Sequence, residues 1–78
     1  MHVTVKLYGT LRRFSHPASP GRWEGELPAG ARVLDLIVHL GTSEAEVAAA
    51  ALNGAPCPLD TVIPDGAVVT LVTPVGGG

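Results

Sequence analysis

Polar and apolar residues alternate from the start of the chain. Val3, Val5 and Leu7 share one side, and His2, Thr4 and Lys6 share the other. A period of two predicts a half-buried strand over residues 2–8. Gly9-Thr10 interrupts it, and Leu11-Arg12-Arg13-Phe14 has room for one helical turn. Two prolines and Gly21 then predict an irregular loop from Ser15 to Gly21. Arg22-Trp23-Glu24-Gly25-Glu26-Leu27 reads as a second strand, with Trp23 directed away from Glu24 and Glu26. The two strands are near enough in sequence to pair antiparallel, although the connection is long for a hairpin.

After Pro28-Ala29-Gly30 the period changes. Val33, Leu36, Ile37 and Leu40 fall at i, i+3, i+4 and i+7, the stripe of an amphipathic helix. Asp35 places a negative charge in its first turn, and Gly41 suits a left-handed C-terminal cap. So short a helix is marginal alone in water and requires packing of Leu36, Ile37 and Leu40 against a sheet.

Residues 43–52 have two readings. Ser43-Glu44-Ala45-Glu46 matches a capping box, with Glu46 reaching back to Ser43, and the alanines that follow favour helix. Asn53-Gly54 favours a hairpin, which makes residues 47–52 a strand returning through Ala55 to Leu59. Further on, Pro64-Asp65-Gly66 is a tight turn. Val68-Val69-Thr70-Leu71-Val72-Thr73 is a β-branched strand that Pro74 ends. Strands flanking one helix make an α+β domain. If the last strand lies beside the first, the fold is a β-grasp, a mixed sheet curled around one main helix.

Seventy-eight residues allow one small domain, and a chain this short buries only about 60% of its unfolded surface. The division expected is a domain over residues 1–75 and a flexible glycine tail at 76–78. A water-excluding catalytic pocket has little room, so an enzyme acting alone is not expected. A net charge of −2, with Arg12-Arg13 the only basic neighbours, argues against nucleic acid as a partner. No apolar run approaches the roughly 18 residues of a membrane span. The single Cys57 forms no internal disulfide, which points to a reducing, cytoplasmic compartment.

The sharpest chemical feature is Gly76-Gly77-Gly78. Glycine lets a backbone thread a narrow channel, and Val75 to Gly78 extended spans roughly 13 Å. A terminal carboxylate at Gly78 is a poor electrophile and needs activation, commonly by AMP from ATP, before sulfur or nitrogen can attack it. The plain alternative is a frayed end. Cys57 stands between Pro56 and Pro58 with no metal or redox spacing and reads as structural. His2, His16 and His39 are too scattered to form a ligand pair, so no metal site is expected. Asp60 and Asp65 flank turns, where a carboxylate commonly bonds its own backbone. If Val69 and Leu71 face the helix, then Val68, Thr70 and Val72 face outward. Val68 and Val72 would then join Pro74 and Val75 as an apolar docking patch.

Read together, these segments resemble the MoaD/ThiS family of ubiquitin-like sulfur carriers. Val3-Thr4-Val5-Lys6-Leu7-Tyr8-Gly9-Thr10-Leu11-Arg12 is similar to the family's opening strand and first turn, and Val33-Leu34-Asp35-Leu36-Ile37 to its helix start. Leu52-Asn53-Gly54, Asp65-Gly66 and Thr73-Pro74-Val75-Gly76-Gly77-Gly78 are similar to its hairpin, turn and tail. Chain length and the tail are closer to MoaD than to ThiS. The resemblance tips residues 47–52 towards strand. It departs at Arg32, where a Thr cap is frequent, at Ala67, where an acid is common, and at the four alanines of the third strand.

The resemblance implies a carrier and co-substrate with no bound cofactor. A ubiquitin-activating-type enzyme would use ATP to adenylate Gly78, and a thiocarboxylate there would donate sulfur. The acceptor would be a molybdopterin precursor held by a MoaE-like large subunit. Thiamine, cysteine or tRNA thiolation, conjugation to lysine, and non-covalent binding are the alternatives.

Overall fold

The computed structural model describes residues 1–74. One five-stranded sheet contains β1 (His2–Leu7), β2 (Arg22–Glu26), β3 (Ala49–Leu52), β4 (Ala55–Cys57) and β5 (Val68–Val72) in the order β2-β1-β5-β3-β4. β1 and β5 run parallel, and the other neighbours are antiparallel. Helix α1 (Val33–Leu40) contributes its apolar stripe to the core against the sheet. This is the expected β-grasp, with the last strand in the middle of the sheet beside the first.

Alternation decides which side of each strand is buried. Val3, Val5 and Leu7 of β1, Val69 and Leu71 of β5, and Val33, Leu36 and Ile37 of α1 are all at most 2% exposed. Fully burying such a side chain stabilises the fold by roughly 1.5–3 kcal/mol. Leu27 and Ala67 extend the buried faces of β2 and β5 by one step of the same alternation, and Leu11 and Ile63 complete the core from turns and connections, where no periodicity announces them.

Helix α1 starts without a side-chain cap. Arg32 has no acceptor atom, and its guanidinium donates instead to the Asp60 carbonyl at 3.0 Å. The first free amides of the helix are met by main chain. Val33 N–H donates to the Thr61 carbonyl at 3.0 Å and Leu34 N–H to that of Leu59 at 2.9 Å. The Asp35 carboxylate accepts from Arg32 N–H at 2.8 Å. The loop before β5 therefore supplies what a Thr cap would otherwise provide. Gly41 closes the helix in the left-handed region, as expected.

Two local expectations change. The capping box does not form, because Glu44–Glu46 is a single 3-10 turn and Ser43 makes no side-chain capping bond. Glu46 turns away to Thr10, Arg13 and Thr42. The alanine run is strand, in register with β5 through Ala50↔Leu71 and Leu52↔Val69. Ala50 is buried there, so a ladder formed across the sheet outweighs the small helix preference of alanine. Asn53 and Gly54 both take positive φ, which makes the β3–β4 turn the predicted hairpin. Asp65 does not close its own turn. Its Oδ1 accepts from His2 N–H at 2.8 Å and pins the start of β1.

Candidate functional site

The parallel pairing of β1 and β5 brings the end of β5 to the end of β1. Leu71 lies opposite Leu7, and Tyr8 N–H donates to the Leu71 carbonyl at 3.2 Å. The chain beyond Val72 therefore leaves the sheet beside the 3-10 turn Gly9–Phe14. The contact there is close. A Cβ at Gly9, whose φ is +63°, would run into the side chain of Thr73. Only glycine allows this turn to lie directly against the root of the tail.

Glu46 fixes the same turn from the far side. Thr10 Oγ1 donates to it at 2.6 Å and Arg13 Nη2 at 2.6 Å, and Arg13 Nη1 and Thr42 Oγ1 complete the cluster. The Arg13 hydrogen bonds, followed by those from Thr10 and Thr42, hold Glu46 well below the usual carboxylate range. No local pattern marks this group, since Arg13 and Glu46 lie 33 positions apart.

On the outer face, Val68, Thr70 and Val72 alternate half-exposed with the buried Val69 and Leu71, and Pro74 is exposed. This is the expected register. Val75, Gly76, Gly77 and Gly78 lie outside the described residues. Tyr8, 52% exposed, stands at the same end of the sheet and was not singled out from sequence.

Charge is sorted along the outer face of β1 and β2. The register places His2 opposite Glu26, Thr4 opposite Glu24, and Lys6 opposite Arg22. The distal end is acidic and the end beside the tail is basic. Arg22 Nη2 donates to Glu24 Oε1 at 2.7 Å, and that bond is the main reason the Glu24 carboxyl titrates low.

The remaining candidates have structural surroundings. His16 stacks on Trp23 with centroids 6.3 Å apart, and His39 meets the same indole edge-on at 5.6 Å. Trp23 in turn lies over Gly25, where a Cβ would come within 2.5 Å of the indole. Cys57 is a half-buried free thiol in β4. Among the described residues no three His, Cys, Asp or Glu side chains group as metal ligands. Among the same residues no helix is long and apolar enough to cross a membrane.

The ThiS family profile matches residues 5–78, nearly the whole chain. The chain belongs to the ThiS family. It is thus a member of the ubiquitin-like MoaD/ThiS sulfur carriers, small carrier proteins rather than enzymes. Among solved structures, a putative molybdopterin converting factor subunit 1 from Pyrococcus furiosus is similar at 32% identity and TM-score 0.68. The match covers 95% of this chain and 98% of that one. Subunit 1 in a complex of subunits 1 and 2 of the molybdopterin-converting factor from Helicobacter pylori is similar at 27% identity and TM-score 0.58, with both chains fully covered. Small archaeal modifier protein 1 of Haloferax volcanii shares the fold at TM-score 0.71 and 19% identity, over 95% of this chain and 98% of that one. Among curated proteins no sequence matches significantly.

Proposed function

We propose that this ThiS-family chain is a sulfur carrier whose reactive group is the carboxylate of Gly78. The observation that supports it best is the delivery of the chain end. A β5 locked in the middle of the sheet by the buried Val69 and Leu71 leads through Thr73 and Pro74 into Val75-Gly76-Gly77-Gly78. A rigid body whose chain closes on three glycines suits insertion into a partner's active site, where a side chain near the end would obstruct the channel.

The chemistry then has two steps. A carboxylate oxygen of Gly78 attacks the α-phosphorus of ATP in a ubiquitin-activating-type enzyme, forming an acyl–phosphate bond and releasing pyrophosphate. A sulfide-level sulfur nucleophile next attacks the acyl carbon and displaces AMP, leaving a thiocarboxylate. This protein contributes position and docking, with Val68, Val72, Pro74 and Val75 as the apolar contact. ATP belongs to the partner.

The sulfur acceptor proposed is a molybdopterin precursor held by a large subunit. The similarity to subunit 1 of the Helicobacter pylori complex supports such a partner. A thiocarboxylate and the free Cys57 both suit a reducing compartment, so the cytoplasm is the proposed setting.

Intact-mass and peptide mass spectrometry of the protein from its native cells tests the reading. An oxygen-to-sulfur exchange at Gly78 is expected. An unmodified carboxylate together with Gly78 isopeptide remnants on lysines of other proteins would overturn it in favour of a protein modifier.

A further inference from the structure

The outer face carries an arrangement that stability does not explain. Lys6 and Arg22 stand directly opposite each other on β1 and β2, and like charges in that position are destabilising. Arg12 adds a third cation, and the three line an open groove of about 490 Å³ that has no carboxylate in its wall. Glu24 reaches Arg22, but neither Lys6 nor Arg12 forms an ion pair among the described residues. The chain as a whole is acidic, with a net charge of −2, so this concentration runs against its composition. The Glu26 end of the same face lies four residues along β1 from Lys6, about 13 Å away and beyond the ~8 Å screening length at physiological salt, while Glu24 is taken up by Arg22 at 2.7 Å. Glu24 therefore offsets Arg22, whereas Lys6 and Arg12 face the groove with no acid partner among the described residues.

We propose that the groove between Lys6, Arg12 and Arg22 receives an acidic segment, rich in Asp or Glu, of the protein that activates the tail. The inference rests on the carrier reading and names the chemistry of that partner's contact. Three features favour a protein segment over a phosphate. The amides of Leu7, Tyr8, Gly21 and Arg22 around the groove all bond internally, which leaves no ring of backbone N–H groups for an oxyanion. The wall also contains Val68, Pro20 and Tyr8, which match a peptide's apolar side chains. Through Val68 the groove is continuous with the apolar strip that leads to the tail. Carboxylates from the partner would relieve the Lys6–Arg22 repulsion on docking, and the oriented charge would set the tail's approach before apolar contact forms.

The test measures affinity and AMP transfer separately, using the chain's own adenylating enzyme. Equilibrium binding and the KM for the carrier in ATP–pyrophosphate exchange are compared for wild type, Lys6→Glu, Arg12→Glu and the distant control Arg32→Glu. Lys6→Glu and Arg12→Glu should each weaken binding and raise KM by about tenfold or more at low salt, with kcat little changed, and raising the salt should shrink the difference. Lys6→Glu should at the same time raise the melting temperature, because it replaces a repulsive cross-strand pair with an attractive one. Arg32→Glu should leave binding and KM within twofold. If wild type is adenylated and both reversals leave KM unchanged, the groove proposal fails and the carrier reading stands. If wild type binds through the groove but accepts no AMP, the bound protein does not activate the tail, and the carrier reading and the groove proposal fail together. Loss of a self-associated dimer in the reversals, or saturable competition by tripolyphosphate at micromolar concentration, would assign the groove to a second copy or to phosphate and overturn the proposal.

Discussion

The two faces of β5 have opposite roles. Val69 and Leu71 look inward and are completely buried, whereas Val68, Thr70 and Val72 look outward and are only partly covered. One strand of alternating residues thus belongs half to the core and half to a surface that ends at the tail. The same split continues on β1, where Val3, Val5 and Leu7 are buried and Thr4 and Lys6 border the groove. Because the side-chain period is two, neighbouring residues can be changed with separate consequences. Inward substitutions should cost stability, and outward ones should cost partner contact.

The largest effect on folding is expected inside. Leu36 is wholly buried beneath the sheet, and Leu36→Ala should destabilise the protein by about 2–5 kcal/mol in chemical denaturation. A loss under about 0.5 kcal/mol, the range of surface sites, would remove Leu36 from the core and break the inner half of the comparison.

Val72→Asp probes the outer half. The fold should persist, while binding to the adenylating enzyme and to the sulfur-accepting subunit weakens by about tenfold, since a charge enters an apolar contact. Binding isotherms together with a melting curve separate the two results. Unfolding of this variant would mean that Val72 supports the core, and the distinction between the faces would fail there.

The smallest effect concerns Glu46, which ties the 3-10 turn beside the tail to the loop after α1. Its folded-state pKa lies below the ordinary 4.5, chiefly through the Arg13 hydrogen bonds. A depressed carboxylate pKa adds stability that is complete above the unfolded value and is lost as pH falls from there towards the folded value. Melting temperature should therefore decline below about pH 4.5 more steeply in wild type than in Glu46→Gln. At pH 7 the variant should be modestly less stable, because the cluster is partly exposed to solvent. Parallel curves for the two proteins below that pH would show that the cluster contributes no linkage.

Sequence carried the local part of this architecture. The period-two stretch of β1, the i, i+3, i+4, i+7 stripe of α1 and the β-branched run of β5 state their faces outright, and β5 also announces where the tail begins. The alanine run was ambiguous because alanine favours helix only weakly and its strand state depends on β5, some 20 residues away along the chain. Leu11 and Ile63 were not legible as core because each lies in a connection without a repeating period, and nothing in the local pattern separates the buried Ile63 from the exposed Val62 beside it. At the site, the outward Val68 and Val72 followed from alternation. The Glu46 cluster and the Lys6–Arg22 opposition did not, since both depend on register between distant segments. A short hairpin would have fixed the second pairing, but the 14 residues between β1 and β2 hid it.

The central claim is that the carboxylate of Gly78 is the reacting group, and intact-mass spectrometry after incubation with the adenylating enzyme, ATP and a sulfur donor tests it most directly. Full-length protein should become thiocarboxylated. Deletion of Gly78 draws the carboxylate back by roughly 3.5 Å, and a misplacement of about 1 Å can already cost on the order of a hundredfold in rate, so little product should form. Gly77→Val should fail because a β-branched side chain obstructs a channel suited to glycine. Both variants should melt as wild type does, since neither change touches the core. Full thiocarboxylation of both would contradict the account.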